Sequence, residues 1–306
     1  MAELMSDDAE YGDMFGISVS LYGDYALIGA YEDDDKGSES GGAYIFKKEN
    51  DLWVQSDKLV PEDGVAFDKF GWSVSLYEDL ALVGAWGDDD MGEAAGSAYI
   101  FRRVGEDWIE EAKFVAYDGE EGDNYGRTVA IYGEYALVGS WRDDDMGDAS
   151  GSVYVYKADG NNWSFYTKLT AADGKANDYF AVSIAIYGED IAVGAYRAES
   201  AFGATGAVYL FELEDETWKQ AAKLAPIEGQ SDMEFGYSVS ITDGYFVVGA
   251  RYENAGAVKS GAAYVFKDTS EGWVQQDRLV ASDGSAWDFF EFRSKIAIFD
   301  SISAPK

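Results

Sequence analysis

Three runs of consecutive aspartates, Asp33-Asp34-Asp35, Asp88-Asp89-Asp90 and Asp143-Asp144-Asp145, carry the densest ligand chemistry in this chain. Each run lies in a glycine-containing stretch, and hard cations such as Ca²⁺ or Mg²⁺ take oxygen ligands of this kind. The runs lack EF-hand spacing, so an Asx-turn with solvated carboxylates is the competing reading. A second set precedes glycine: Asp63, Asp118, Asp173 and Asp283, followed five residues later by Asp68, Asp123, Asp178 and Asp288. Asp-Gly marks a tight turn, and the later aspartate is placed to accept backbone N–H groups that fix the loop. The chain has no His and no Cys. Ser-His-Asp or Cys-His catalysis, thiolate zinc, His-ligated metal and disulfides are therefore excluded. Gly71-Trp72-Ser73 begins like a nucleophile elbow, but Ser75 stands where the closing glycine belongs and no His can act as base. Residue types still permit a carboxylate-based glycoside hydrolase. A catalytic pair should break symmetry, however, and these acids repeat in register with the chain, so no enzyme is expected.

Acids outnumber bases 58 to 23, a formal charge of −35 on 306 residues. Nucleic acid and anionic membrane surfaces are poor partners for such a chain, because phosphate needs Lys and Arg to neutralise it. A basic protein surface is the natural counterpart. Despite the charge, 47% hydrophobic and 16% aromatic residues supply a substantial core. No apolar run reaches transmembrane length, and the start, Met1-Ala2-Glu3-Leu4-Met5, has neither the basic n-region nor the apolar h-region of a signal peptide. The lack of Cys leaves the compartment open. Asn162-Trp163-Ser164 is a formal glycosylation sequon, a weak signal as a single match.

The elements that position these residues come from a repeat. Phe15, Phe70, Tyr125, Phe180, Phe235 and Phe290 recur every 55 residues. So do Gly29, Gly84, Gly139, Gly194 and Gly249, then Tyr44 to Tyr264, and Trp53, Trp108, Trp163, Trp218 and Trp273. In the second copy, Ser73–Tyr77 alternates at period 2, and a two-residue acidic turn leads into the buried run Leu80–Trp86. An acidic loop, a third strand at Ser97–Phe101 and a fourth from Trp108 to Val115 follow. Four antiparallel strands per repeat with glycine and aromatic punctuation predict an all-β fold, a β-propeller. Five complete blades are expected near 15–60, 70–115, 125–170, 180–225 and 235–280, in one domain over 1–306, with partial strands at 2–5 and 295–299. The terminal pieces match the end of a fourth strand and a first strand, so the chain reads as a five-blade ring with frayed ends or as part of a larger ring.

Phe70-Gly71-Trp72-Ser73-Val74, followed by Leu82-Val83-Gly84-Ala85, resembles the FG-GAP repeat of the integrin α-chain propeller, in its short microbial and algal form. Lys58-Leu59-Val60, Glu62-Asp63-Gly64 and Asp68-Lys69-Phe70-Gly71 agree with it. The resemblance implies a propeller used for binding, often in adhesion at cell surfaces. The Ca²⁺ loop that the family places between its first two strands is absent, because Tyr77-Glu78-Asp79-Leu80 and its equivalents are tight hairpins. The proline of the GAP triplet is replaced by Tyr31, Trp86, Trp141, Tyr196 and Arg251, which implies packing on the next blade or an exposed aromatic rim. Strand parity puts the 2–3 and 4–1 loops on one face, so both acidic sets gather there to attract cations or a basic partner. Ca²⁺ at the nine aspartates of the triples is the expected metal, if any. A glycan stacked on the per-blade Trp is the alternative ligand, although an alternating strand places those Trp residues more naturally between blades.

Overall fold

The computed structural model describes residues 3–288. Blade 1 holds β1 (Ser18–Tyr22), β2 (Tyr25–Ala30), β3 (Gly42–Glu49) and β4 (Leu52–Leu59). Blade 2 holds β5 (Phe70–Tyr77), β6 (Leu80–Ala85), β7 (Ser97–Val104) and β8 (Asp107–Phe114). Blade 3 follows with β9 (Tyr125–Tyr132), β10 (Tyr135–Ser140), β11 (Ser152–Asp159) and β12 (Asn162–Leu169). Blade 4 has β13 (Phe180–Tyr187), β14 (Asp190–Ala195), β15 (Ala207–Glu214) and β16 (Thr217–Leu224). Blade 5 has β17 (Phe235–Thr242), β18 (Tyr245–Ala250), β19 (Ala262–Thr269) and β20 (Gly272–Leu279). Each blade is an antiparallel sheet in sequence order, and the five make the expected all-β propeller.

A four-stranded sheet cannot bury both faces alone, so neighbouring blades supply each other's core. One cluster joins Leu27, Ala43 and Ile45 of blade 1 to Phe70, Val74, Tyr99 and Phe101 of blade 2. Trp108 completes it and meets Tyr25 of the preceding blade edge-on, with ring centroids 6.2 Å apart. Trp218 likewise meets Tyr135 at 5.4 Å. These two indoles are buried, whereas Trp53, Trp163 and Trp273 are half-buried.

Inner strands line the axis, and a bulge opens each of β5, β13 and β17 just after its aromatic residue. Gly84 shows why that approach needs glycine: a Cβ there would lie 1.9 Å from the Gly126 carbonyl oxygen of the next blade. Serines stitch the same seam, with Ser18 Oγ donating to Gly71 O and Ser183 Oγ to Gly236 O, each at 2.8 Å. Among the described residues β17 and β1 lack the close packing that links β1 to β5, β5 to β9, β9 to β13 and β13 to β17. Of the two terminal strands expected, 295–299 and residue 2 lie outside the described residues. Residues 3–5 form no strand, although Leu4 packs on the blade 1 core.

Candidate binding face

Cross-strand register builds the acidic site. Tyr99 and Lys113 are direct partners between β7 and β8, as are Tyr44 and Lys58 between β3 and β4, and Tyr154 and Lys168 between β11 and β12. Paired side chains share a sheet face, so each tyrosine and lysine point together towards the 2–3 loop. There Lys113 Nζ lies 2.7 Å from Asp63, 2.9 Å from Asp88 and 2.6 Å from Asp90. Lys58 makes the same three pairs with Asp8 (2.7 Å), Asp33 (2.8 Å) and Asp35 (2.6 Å). Lys168 makes them with Asp118 (3.0 Å), Asp143 (2.7 Å) and Asp145 (2.5 Å).

The first aspartate of each triple is buried and the second and third are exposed. Asp88 Oδ1 accepts the Asp90 N–H, while its Oδ2 faces the hydroxyls of Ser97 and Tyr99, both at 2.9 Å. Tyr44 donates to Asp33 at 2.6 Å and Tyr154 sits 2.9 Å from Asp143. Burial alone would lower the Lys113 ammonium, but its bonds to Asp63, Asp90, Tyr99 and Asp88 outweigh this and raise it. Burial would likewise raise the Asp63 carboxyl, yet the bonds from Lys113 and Tyr99 hold it below the ordinary value. The closest carboxylate oxygens of Asp8, Asp33 and Asp35 lie within 4.8 Å of one another, close enough to share one cation. Lys58 Nζ sits among them.

The last two blades vary this unit in a matched way. Blade 4 has Ala198 in place of the first aspartate, and among the described residues Lys223 keeps only Asp173, at 2.7 Å. Blade 5 has Glu253 in that place, paired with Arg278 rather than lysine, and Tyr264 donates to it at 2.6 Å. The recurrence of Lys58, Lys113, Lys168 and Lys223 at the repeat spacing was the available sign of this partner, and attention to the acids alone passes over it.

The second acidic set holds the loops between blades. Asp68 accepts the Val65 N–H at 2.7 Å, Asp123 that of Glu120 at 2.8 Å and Asp178 that of Lys175 at 2.9 Å. Burial pushes the Asp68 and Asp123 carboxyls up to about 6 and raises Asp178 too. These loops hydrogen-bond to the 2–3 loop of the preceding blade: Phe67 N to Ser38 O, and Phe70 N to Ser40 O. Both acidic sets therefore share one face. Asp34, Asp89 and Asp144 are exposed there and make no ion pair among the described residues.

At the centre of this face the four aromatic GAP-proline replacements meet aromatic residues at the start of the inner strands, Trp86 within its own blade and the other three on the next blade. Tyr31 meets Trp72 at 4.6 Å, Trp72 meets Trp86 at 5.9 Å, Trp141 meets Tyr179 at 5.2 Å and Tyr196 meets Tyr237 at 5.8 Å. Trp72, Trp141, Tyr196 and Tyr237 of this set line the mouth of a cavity between the inner strands.

A family model described as the FG-GAP repeat matches residues 1–46, 53–101, 108–156, 163–211 and 218–266. From the second match onward, each stretch runs from the Trp of one blade's outer strand into the third strand of the next. No curated protein matches the chain.

Proposed function

The chain belongs to the FG-GAP repeat family, and from that premise we propose a non-catalytic binding module whose partner is a protein with a basic surface. The observation that carries this reading is the shared loop face, where Asp34, Asp89 and Asp144 remain exposed and make no ion pair among the described residues, while the neighbouring carboxylates have taken up lysine. Such a rim focuses negative potential and steers cationic surfaces towards it. In this reading the counter-charge at Asp33, Asp88 and Asp143 is the chain's own ammonium. Ca²⁺ at those residues and at Asp35, Asp90 and Asp145 would have to displace it. A glycosidase is disfavoured because the repeated carboxylates are engaged in like manner in blade after blade.

The test compares two triple variants against a basic probe protein such as cytochrome c. Asp34→Asn/Asp89→Asn/Asp144→Asn should weaken binding clearly more than Asp159→Asn/Asp215→Asn/Glu271→Gln, which removes equal charge from the exposed hairpins between third and fourth strands, on the opposite face. Equal losses would mean only diffuse attraction to a −35 chain, and the rim would lose its role.

A further inference from the structure

The axial mouth holds a cation, Arg127, that pairs with no acid among the described residues. Arg127, on β9, stacks on Trp72 with its guanidinium carbon 3.7 Å from the ring centroid, and lies 5.1 Å from Trp141 and 5.5 Å from Trp86. Stacking uses only the flat face of a guanidinium, and its N–H donors lie in the plane, at the edge. Among the described residues no side-chain hydrogen bond or ion pair reaches them. Arg251, at the same mouth, shows the contrast: it stacks on Tyr237 at 3.7 Å and pairs with Glu234 at 2.6 Å. Arg102, Arg103 and Arg278 also have carboxylate partners. Burial strips water from Arg127 and Arg142 repels it, which together lower it to about 10. In a chain with 58 acids, an unpaired half-buried arginine is a place where a ligand's charge would be welcome.

The space beside it is a cavity of about 280 Å³ lined by Trp72, Arg127, Trp141, Tyr196 and Tyr237, with Ser73, Thr128 and Ser183 deeper in. That is the size of one small ring with a substituent. Aromatic walls receive a ring face, and the guanidinium fork matches a carboxylate. The adjoining rim carries Glu93 and Glu121, and the field of the whole chain penalises each further negative charge, which favours a monoanion over a phosphate.

We propose that the axial mouth binds a small ring-bearing monocarboxylate, with Arg127 as the residue that recognises the carboxylate. The site is separate from the acidic rim, so the Asp34/Asp89/Asp144 variant should keep it and failure of either reading is visible alone.

The test is calorimetric titration of the full chain, with Trp fluorescence as a second readout, against glucuronate and phenylacetate. Glucose, phenylacetamide and inorganic phosphate are the controls. The two acids distinguish a sugar ring from an aromatic one. At least one should bind at a single site, with its uncharged counterpart and phosphate each weaker by about tenfold or more, as expected when a charge-assisted fork is lost. Arg127→Gln should lower affinity by about tenfold or more, and Arg127→Lys should restore only part of it, because an ammonium lacks the planar fork. The proposal falls if neither acid binds, if phosphate competes equally, or if Arg127→Gln binds like the wild type. Should Arg127→Gln fail to fold, the acid-against-amide comparison on the wild type decides.

Discussion

Lys113 concentrates the chemistry of the acidic face in one ammonium. Three carboxylates within hydrogen-bond reach would repel one another without it, and Asp88 among them is buried. Removing one partner of a buried charge cluster costs far more than the net worth of the pair, because the remaining charges stay behind. Lys113→Met keeps the length of the side chain and removes its charge, and should destabilise by about 3 kcal/mol in urea melts. Lys223→Met is the internal control. Among the described residues only Asp173 pairs with Lys223, and that carboxylate is half-exposed, so the loss should stay within about 1 kcal/mol. Equal losses would show that the cluster geometry contributes nothing. The aspartates of this unit were legible from their recurrence; the lysine recurs with them, but that it holds them was not legible. It sits on a different strand, and only the β7–β8 register brings it opposite Tyr99 and up to the loop.

The blade is where the sequence was most readable, since period-2 alternation, two-residue turns and a strict repeat leave little freedom in how four strands pair. The axial mouth was not readable to the same degree. The sequence placed aromatics at the GAP-proline position, yet their meeting with Trp72, Tyr179 and Tyr237 depends on the bulge and on how closely blades approach. Gly84 governs that approach. Its absent Cβ would fall 1.9 Å from the backbone oxygen of Gly126, whereas at Gly139 the nearest atoms belong to the side chains of Thr128 and Ile184. Backbone cannot yield as a side chain does, so Gly84→Ala should cost about 3 kcal/mol and Gly139→Ala about half of that in denaturant unfolding. The opposite ranking would mean the seam is set by side-chain packing instead.

Over the whole molecule, the −35 charge and the buried acids set a dependence on pH. Native Asp68 and Asp123 titrate at about 6, above the roughly 3.9 of an unfolded aspartate. Between those values the native state holds more protons, so stability rises as pH falls from neutrality towards about 4. Asp63, Asp118 and Asp173 act oppositely: their native carboxyls lie below the ordinary value, and protonating them at still lower pH releases Lys113, Lys168 and Lys223. The melting temperature should therefore peak on the acid side of neutrality and fall on either side. Asp68→Asn with Asp123→Asn should flatten the rise, and a steady decline from pH 7 to 5 would contradict it.

The lysine-held acidic loop is tested most directly by melting the wild type in millimolar Ca²⁺ and, separately, Mg²⁺ at matched ionic strength. A ligand bound only to the native state raises the melting point by mass action, whereas screening of a −35 chain raises it alike for both ions. The expected result is equal stabilisation by the two ions, unchanged in Asp88→Asn/Asp89→Asn/Asp90→Asn. Stabilisation specific to Ca²⁺ and lost in that variant would contradict it, and would make the triples metal sites from which the lysine withdraws.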